Sequence, residues 1–107
     1  MKYYKGCILF MLEEPYVSED EDGRKTIVGY YRHFTVAAKD ERSMMKVCES
    51  HGMSPDMKSK IDWTGSEIEE ISFESLSVAC QLRAEGNEGI LYSTGRIFFP
   101  SEELPQR

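Results

Sequence analysis

The sequence predicts an α+β fold: a mostly antiparallel sheet of four or five strands with two helices packed on it. Three observations lead there. Residues 3–14 and 26–38 are apolar, rich in β-branched and aromatic side chains, and separated by a short acidic stretch. Between Asp40 and Gly52 the apolar residues fall at helical spacing. Beyond Gly52, short apolar runs alternate with helix-start signals, so the order is strand, strand, helix, strand, helix, then strand or hairpin. A chain of 107 residues fits a single domain, 1–107.

Residues 3–14 read as the first strand. Cys7, Leu9 and Met11 point to one face and Ile8, Phe10 and Leu12 to the other. Both faces are apolar, which predicts a central strand with a helix layer on one side and a partner chain or long loop on the other. Pro15 is expected to end it. Residues 15–25 then form an acidic hairpin loop, mobile over 18–23. In the second strand, 26–38, Val28, Tyr30, Phe34 and Val36 share a face, with Arg32 the odd member. Ile27, Tyr31, His33 and Thr35 share the opposite one.

Asp40 has the position of an N-cap, with Glu41 in the first turn where the helix dipole favours it. Met44, Val47, Cys48 and His51 form one helical face, and Gly52 stands where a C-terminal cap belongs. Pro55 breaks the following loop, and residues 60–63 read as a short strand. Residues 66–73 admit two readings. Ser66 and Glu69 match a capping box, yet 69–73 alternate like a strand. A strand to about Ile71 is favoured. A helix then runs from Ser72 to Gly86 and carries Leu76, Ala79 and Cys80 inward. Residues 89–100 form either a tight hairpin or one bulged strand, and 101–107 a frayed tail.

Charge bounds the function. The chain has 13 Lys+Arg against 19 Asp+Glu, a net −6 with pI near 4.9. Its 40% hydrophobic content is too high for global disorder. An acidic chain lacks the Lys and Arg surplus that duplex binding needs, so no direct nucleic-acid role is expected, and a basic partner suits it better. The charge is also segregated. Residues 1–23 hold six acids and two bases, residues 24–60 eight bases and four acids, and residues 61–103 nine acids and two bases. Such runs are ordinarily solvated surface; the functional alternative is an acidic face that steers a cationic partner.

Cys7, Cys48 and Cys80 are odd in number, form no C-x-x-C pair and lie in apolar runs. They predict reduced, buried thiols in a cytoplasmic protein. The apolar run 7–12 is too short for a signal peptide, and no stretch approaches the roughly 18 apolar residues of a membrane span.

No catalytic signature stands in the chain, so a non-enzymatic role is expected. Aligning Gly23 with the glycine of an EF-hand puts Asp20 and Asp22 on ligand positions but Ser18 and Gly29 at the two ends, so calcium is not expected. Cys48 and His51 lie three apart on a helix and would touch, but a lone pair on an apolar face is more often core and rim. Two histidines and three scattered cysteines do not supply a zinc site, and no cofactor motif is present. Glu69 and Glu70, adjacent on a strand, point to opposite faces and form no dyad. The tyrosines are too many for a small core to bury, which leaves either a wet rim or an interface; Tyr31 is the candidate contact.

The opening strand, the second strand running into Ala37-Ala38, the helix after Asp40, Ile61-Asp62-Trp63, Glu67-Ile68-Glu69-Glu70-Ile71 and the closing Gly95-Arg96-Ile97-Phe98-Phe99-Pro100 together give a layout. That layout resembles small bacterial toxin-immunity-type α+β proteins over most of the chain. The resemblance implies a cytoplasmic binding protein that neutralises a basic toxin domain by occluding its active site. Such families share no fixed functional residues, so the expected contacts come from charge: Glu67, Glu69 and Glu70, then Glu19, Asp20, Glu21 and Asp22, with Tyr31. The rival reading is a homodimeric regulatory or ligand-sensing domain, with the exposed face of the first strand as its seam.

Overall fold

The computed structural model describes residues 1–20, 23–52 and 58–101. Among them, six strands form one antiparallel sheet, with two helices, which confirms the α+β class. The sheet is best seen as four lanes. The long strands β1 (Lys2–Asp20) and β2 (Gly23–Ala38) fill the two central lanes as a hairpin. Each outer lane is one interrupted strand. β3 (Ser59–Ile61) and β4 (Glu67–Ile71) both pair with β1, and β5 (Gly89–Ser93) and β6 (Ile97–Pro100) both pair with β2. Residues 89–100 are therefore the broken-strand alternative and not a hairpin, and 67–71 are the favoured strand.

The two breaks share one device. Where β3 gives way to β4, Asp62 N–H donates to the Leu9 carbonyl at 2.9 Å, and Leu9 N–H donates to Ser66 Oγ at 2.9 Å. Where β5 gives way to β6, Thr94 N–H donates to the His33 carbonyl at 3.0 Å, and His33 N–H donates to Thr94 Oγ1 at 2.9 Å. A hydroxyl thus stands in for the missing strand carbonyl, and the central strands keep their backbone hydrogen bonds satisfied.

Helix α1 (Glu41–Gly52) covers one face. Asp40 caps it as expected, its Oδ1 accepting from Ser43 N–H at 2.8 Å. Met44 and Cys48 pack on Tyr4, Ile8, Phe10, Phe34 and Val36, all buried. Phe10 and Tyr30 stack at 4.9 Å, and the buried Tyr30 hydroxyl lies 3.2 Å from Ser59 Oγ. Arg32, the polar member of this face, closes its rim: Nε donates to the Thr94 carbonyl at 2.9 Å, and the guanidinium lies over the Phe34 ring.

Helix α2 (Val78–Ala84) lies on the opposite face, over Ala37 and Leu91. The expected helix from Ser72 is broken in two. A 3₁₀ turn spans Phe73–Ser75, Leu76 is extended, and Ser77 starts α2 afresh, its Oγ accepting from Cys80 N–H at 3.2 Å. Leu76 and Cys80 are buried as predicted, but Ala79 is exposed and Ala84 takes the inward place.

Three expectations about the hairpin are corrected. Pro15 does not end β1. It sits in a register shift between Met11 and Tyr16, where four residues of β1 oppose one of β2, and pairing then resumes. Of the expected loop 15–25, residues 15–20 therefore belong to β1 and 23–25 to β2, with Glu19 opposite Arg24 and Asp20 opposite Gly23, while 21 and 22 lie outside the described residues. Ile27 joins the core of Tyr30 because a second shift, between Ile27 and Gly29, reverses its face. No partner is needed to cover β1 over 8–10, since Ile8, Leu9 and Phe10 are at most 2% exposed within the chain. The loop at Gly65 covers Leu9: a Cβ there would lie 2.7 Å from Leu9 Cδ2.

Candidate functional site: a polar groove between the sheet and the second helix

Cross-strand neighbours share a face, so register decides what faces α2. Along β1 that face reads Tyr3, Lys5, Cys7, Leu9 and Met11; along β2 it reads Ala37, Thr35, His33, Tyr31 and Gly29. The two ends are packed. Tyr3 and Ala37 lie under α2, and at the far end Phe99 stacks on Tyr31 at 5.0 Å. The middle is polar. Lys5 is opposite Thr35 and Cys7 opposite His33. On the other side of β1, Glu69 is opposite Lys5 and Glu67 opposite Cys7.

This polar window is the floor and one wall of a groove of about 1100 Å³. Ser75, Ser77, Cys80 and Arg83 line it from the 3₁₀ turn and α2, Tyr92 from β5, and the two break residues, Ser66 and Thr94, from the two outer lanes. Arg83 is held in place, donating from Nη1 to the Leu91 carbonyl at 2.8 Å. A volume near 10³ Å³ is at the upper end of ligand clefts and also accommodates several residues of a partner chain.

The groove sorts the sequence-predicted contacts. Glu67 and Glu69, two apart on β4, line it together. Among the described residues neither joins an ion pair; the pairs present are Lys2–Glu70 at 3.6 Å and Arg24–Glu19 at 3.2 Å. Glu70 points to the other face, as strand alternation requires, where Lys2 reaches it. Glu19 is already paired and lies on the outer arm of the hairpin, outside the groove lining, and the Asp20 backbone pairs with Gly23 further along that arm. Glu21 and Asp22 lie outside the described residues. Tyr31 is on the groove's side of the sheet but beyond it, half-buried under Phe99.

Lys5, Cys7, His33, Thr35, Arg83 and Tyr92 were not foreseen as a group. Their signal was present as polar residues interrupting an otherwise apolar alternation, but only the register brings the two interruptions side by side.

Burial, with Glu67 adding to it, pushes the Cys7 thiol up, which keeps it protonated and works against an activated nucleophile. The Cys48 and His51 side chains turn to separate partners: Cys48 Sγ to Met44 Sδ at 3.9 Å, His51 Nε2 to Ser93 Oγ at 3.4 Å. Cys7, Cys48 and Cys80 are free thiols, Cys7 half-buried and the others buried. Among the described residues no three His, Cys, Asp or Glu converge as a metal site, and no helix is long and apolar enough to cross a membrane. No known protein-family pattern, curated protein or solved structure matches the chain.

Proposed function

We propose that the protein binds a basic protein partner at this groove, in the manner of toxin-immunity proteins, and blocks that partner's working surface. One observation carries the reading: Glu67 and Glu69 stand side by side on a strand, at the edge of a groove, with no cation paired to either among the described residues. Two like charges fixed on one strand face repel each other, and Lys5, opposite Glu69 in the ladder, does not close on it as an ion pair. A Lys or Arg side chain entering the groove relieves that repulsion. It also forms charge-assisted hydrogen bonds in geometry that a strand holds ready, so little ordering entropy is lost on binding.

The test is calorimetric titration with basic proteins encoded by the adjoining genes. Glu67→Gln/Glu69→Gln should weaken binding about tenfold or more, at about 1.5–3 kcal/mol per charged hydrogen bond. Glu70→Gln, on the other face, should leave it unchanged. Equal effects of the two variants would mean that overall charge, and not the groove, attracts the partner.

A further inference from the structure

Helix α2 has two apolar faces, parted by Gln81 and Arg83. Its inward face buries Cys80 and Ala84, yet its outward face carries Val78 and Leu82, one turn apart and 73% and 64% exposed. Its polar side chains do not dilute that surface, because both turn back to the backbone. Gln81 Nε2 donates to the carbonyls of Phe73 and Leu76, at 3.3 and 3.2 Å, and Arg83 donates to that of Leu91. A helix apolar on both sides is expected where both sides are covered. Val at an exposed first helical position has no local reason either, since β-branched residues weaken helices.

The surroundings select the cover. Glu74 precedes the helix, and Glu85 and Glu88 follow it, all exposed. A second copy of this chain would bring the same three carboxylates against them, and the chain's net charge is −6. A basic surface meets them favourably. We infer that the outward face of α2, Val78 and Leu82, with the exposed Glu74 before the helix and Glu85 and Glu88 after it, is the apolar anchor for an amphipathic basic segment of a protein partner. The inference rests on the basic-partner reading of the adjoining groove and adds to it: the partner carries apolar side chains bordered by Lys or Arg, beside the cation that enters between Glu67 and Glu69.

The probe is a fluorescein-labelled amphipathic helix of about 18 residues, a leucine stripe bordered by lysines, set against a peptide of the same composition with the leucines dispersed. The intact chain should bind the striped peptide about tenfold more tightly than the dispersed one. Val78→Ser/Leu82→Ser should abolish that preference and leave the melting temperature in place, since both side chains are in water. Glu74→Gln/Glu85→Gln/Glu88→Gln should weaken both peptides and flatten the salt dependence. Three results overturn the inference: no preference for the striped peptide, an unchanged preference in Val78→Ser/Leu82→Ser, or a dimer of the intact chain that this variant dissociates. The groove is read separately by Glu67→Gln/Glu69→Gln against whole basic proteins. If that variant loses binding while Val78→Ser/Leu82→Ser does not, the groove stands and the anchor falls.

Discussion

Gly6 decides where β4, and so the acidic wall of the groove, can lie. In the ladder it sits opposite Ile68, and a Cβ added to it would run into the Glu67 carbonyl oxygen and come within 2.5 Å of Ile68 Cα. These are backbone atoms, which cannot swing aside as a side-chain end does. Carbon contacts settle at about 3.5–4.0 Å, so Gly6→Ala must drive β4 outward by about 1 Å. Overpacking of this kind costs about 1–3 kcal/mol. Two weakened ladder hydrogen bonds add about 0.5–1.5 kcal/mol each. The stiffer unfolded chain returns about 0.4–1 kcal/mol. The net loss is about 1–5.6 kcal/mol and centres at about 3, which at about 4–8 °C per kcal/mol lowers the melting temperature by about 12–24 °C at that centre. Gly95→Ala is the control, because nothing lies within 4 Å of its added Cβ; it should leave stability unchanged or raise it by up to about 1 kcal/mol through the stiffer unfolded chain. Urea denaturation gives both numbers, and amide exchange should show Glu67–Ile71 losing protection first in Gly6→Ala. If Gly6→Ala is as stable as Gly95→Ala, β4 does not cross β1 this closely and the groove wall is misplaced.

Other outcomes follow from the same structure. Ser77→Ala removes the side-chain acceptor of the Cys80 N–H and should cost about 1 kcal/mol, read by urea denaturation. Burial, with Glu49 adding to it, pushes the Cys48 thiol up to about 12 from an ordinary 9.0. The folded state then holds a proton that the unfolded chain releases, so this contribution is complete below about pH 9 and is lost as pH rises towards 12. Cys48→Ala should flatten that decline; a parallel pH profile would contradict the burial. Thiol labelling of the native protein should reach the half-buried Cys7 before Cys48, and reversal of that order would contradict the packing of α1. Glu67→Gln/Glu69→Gln should be at least as stable as the parent, because no ion pair among the described residues is lost.

Much of the fold was legible in local pattern. The alternation of Ile8, Leu9 and Phe10 marks a strand buried on both faces, and Asp40 announces α1, because period and capping are properties of adjacent residues. The break inside 72–84 was not legible: Leu76 and Cys80 keep helical spacing across it, and burial alone does not distinguish one helix from a 3₁₀ turn followed by a second start. The groove was hidden by register. Counting back from Asp20 opposite Gly23 sets Cys7 against Val36 and turns the polar faces apart. The bulge between Met11 and Tyr16 shifts the pairing by three residues, so Cys7 meets His33 instead. Pro15 reads as a stop because proline cannot donate to a ladder, and a bulge is the one interior place where that does not matter. Of the acidic contacts, strand alternation alone separated Glu69 from Glu70. The pairing of Glu19 with Arg24 depended on the hairpin arm continuing past the expected loop.

The central claim is that Glu67 and Glu69 receive a basic partner. Its most direct test is the association rate with a basic protein from an adjoining gene, measured by stopped flow at low and moderate salt. Steering by the groove predicts a rate above the roughly 10⁵–10⁶ M⁻¹s⁻¹ of an unsteered pair, falling with salt. It also predicts that Glu67→Gln/Glu69→Gln is slower, less salt-sensitive and faster to dissociate. An unchanged rate, salt slope and dissociation in that variant would contradict the claim and leave the acidic wall as solubilising surface.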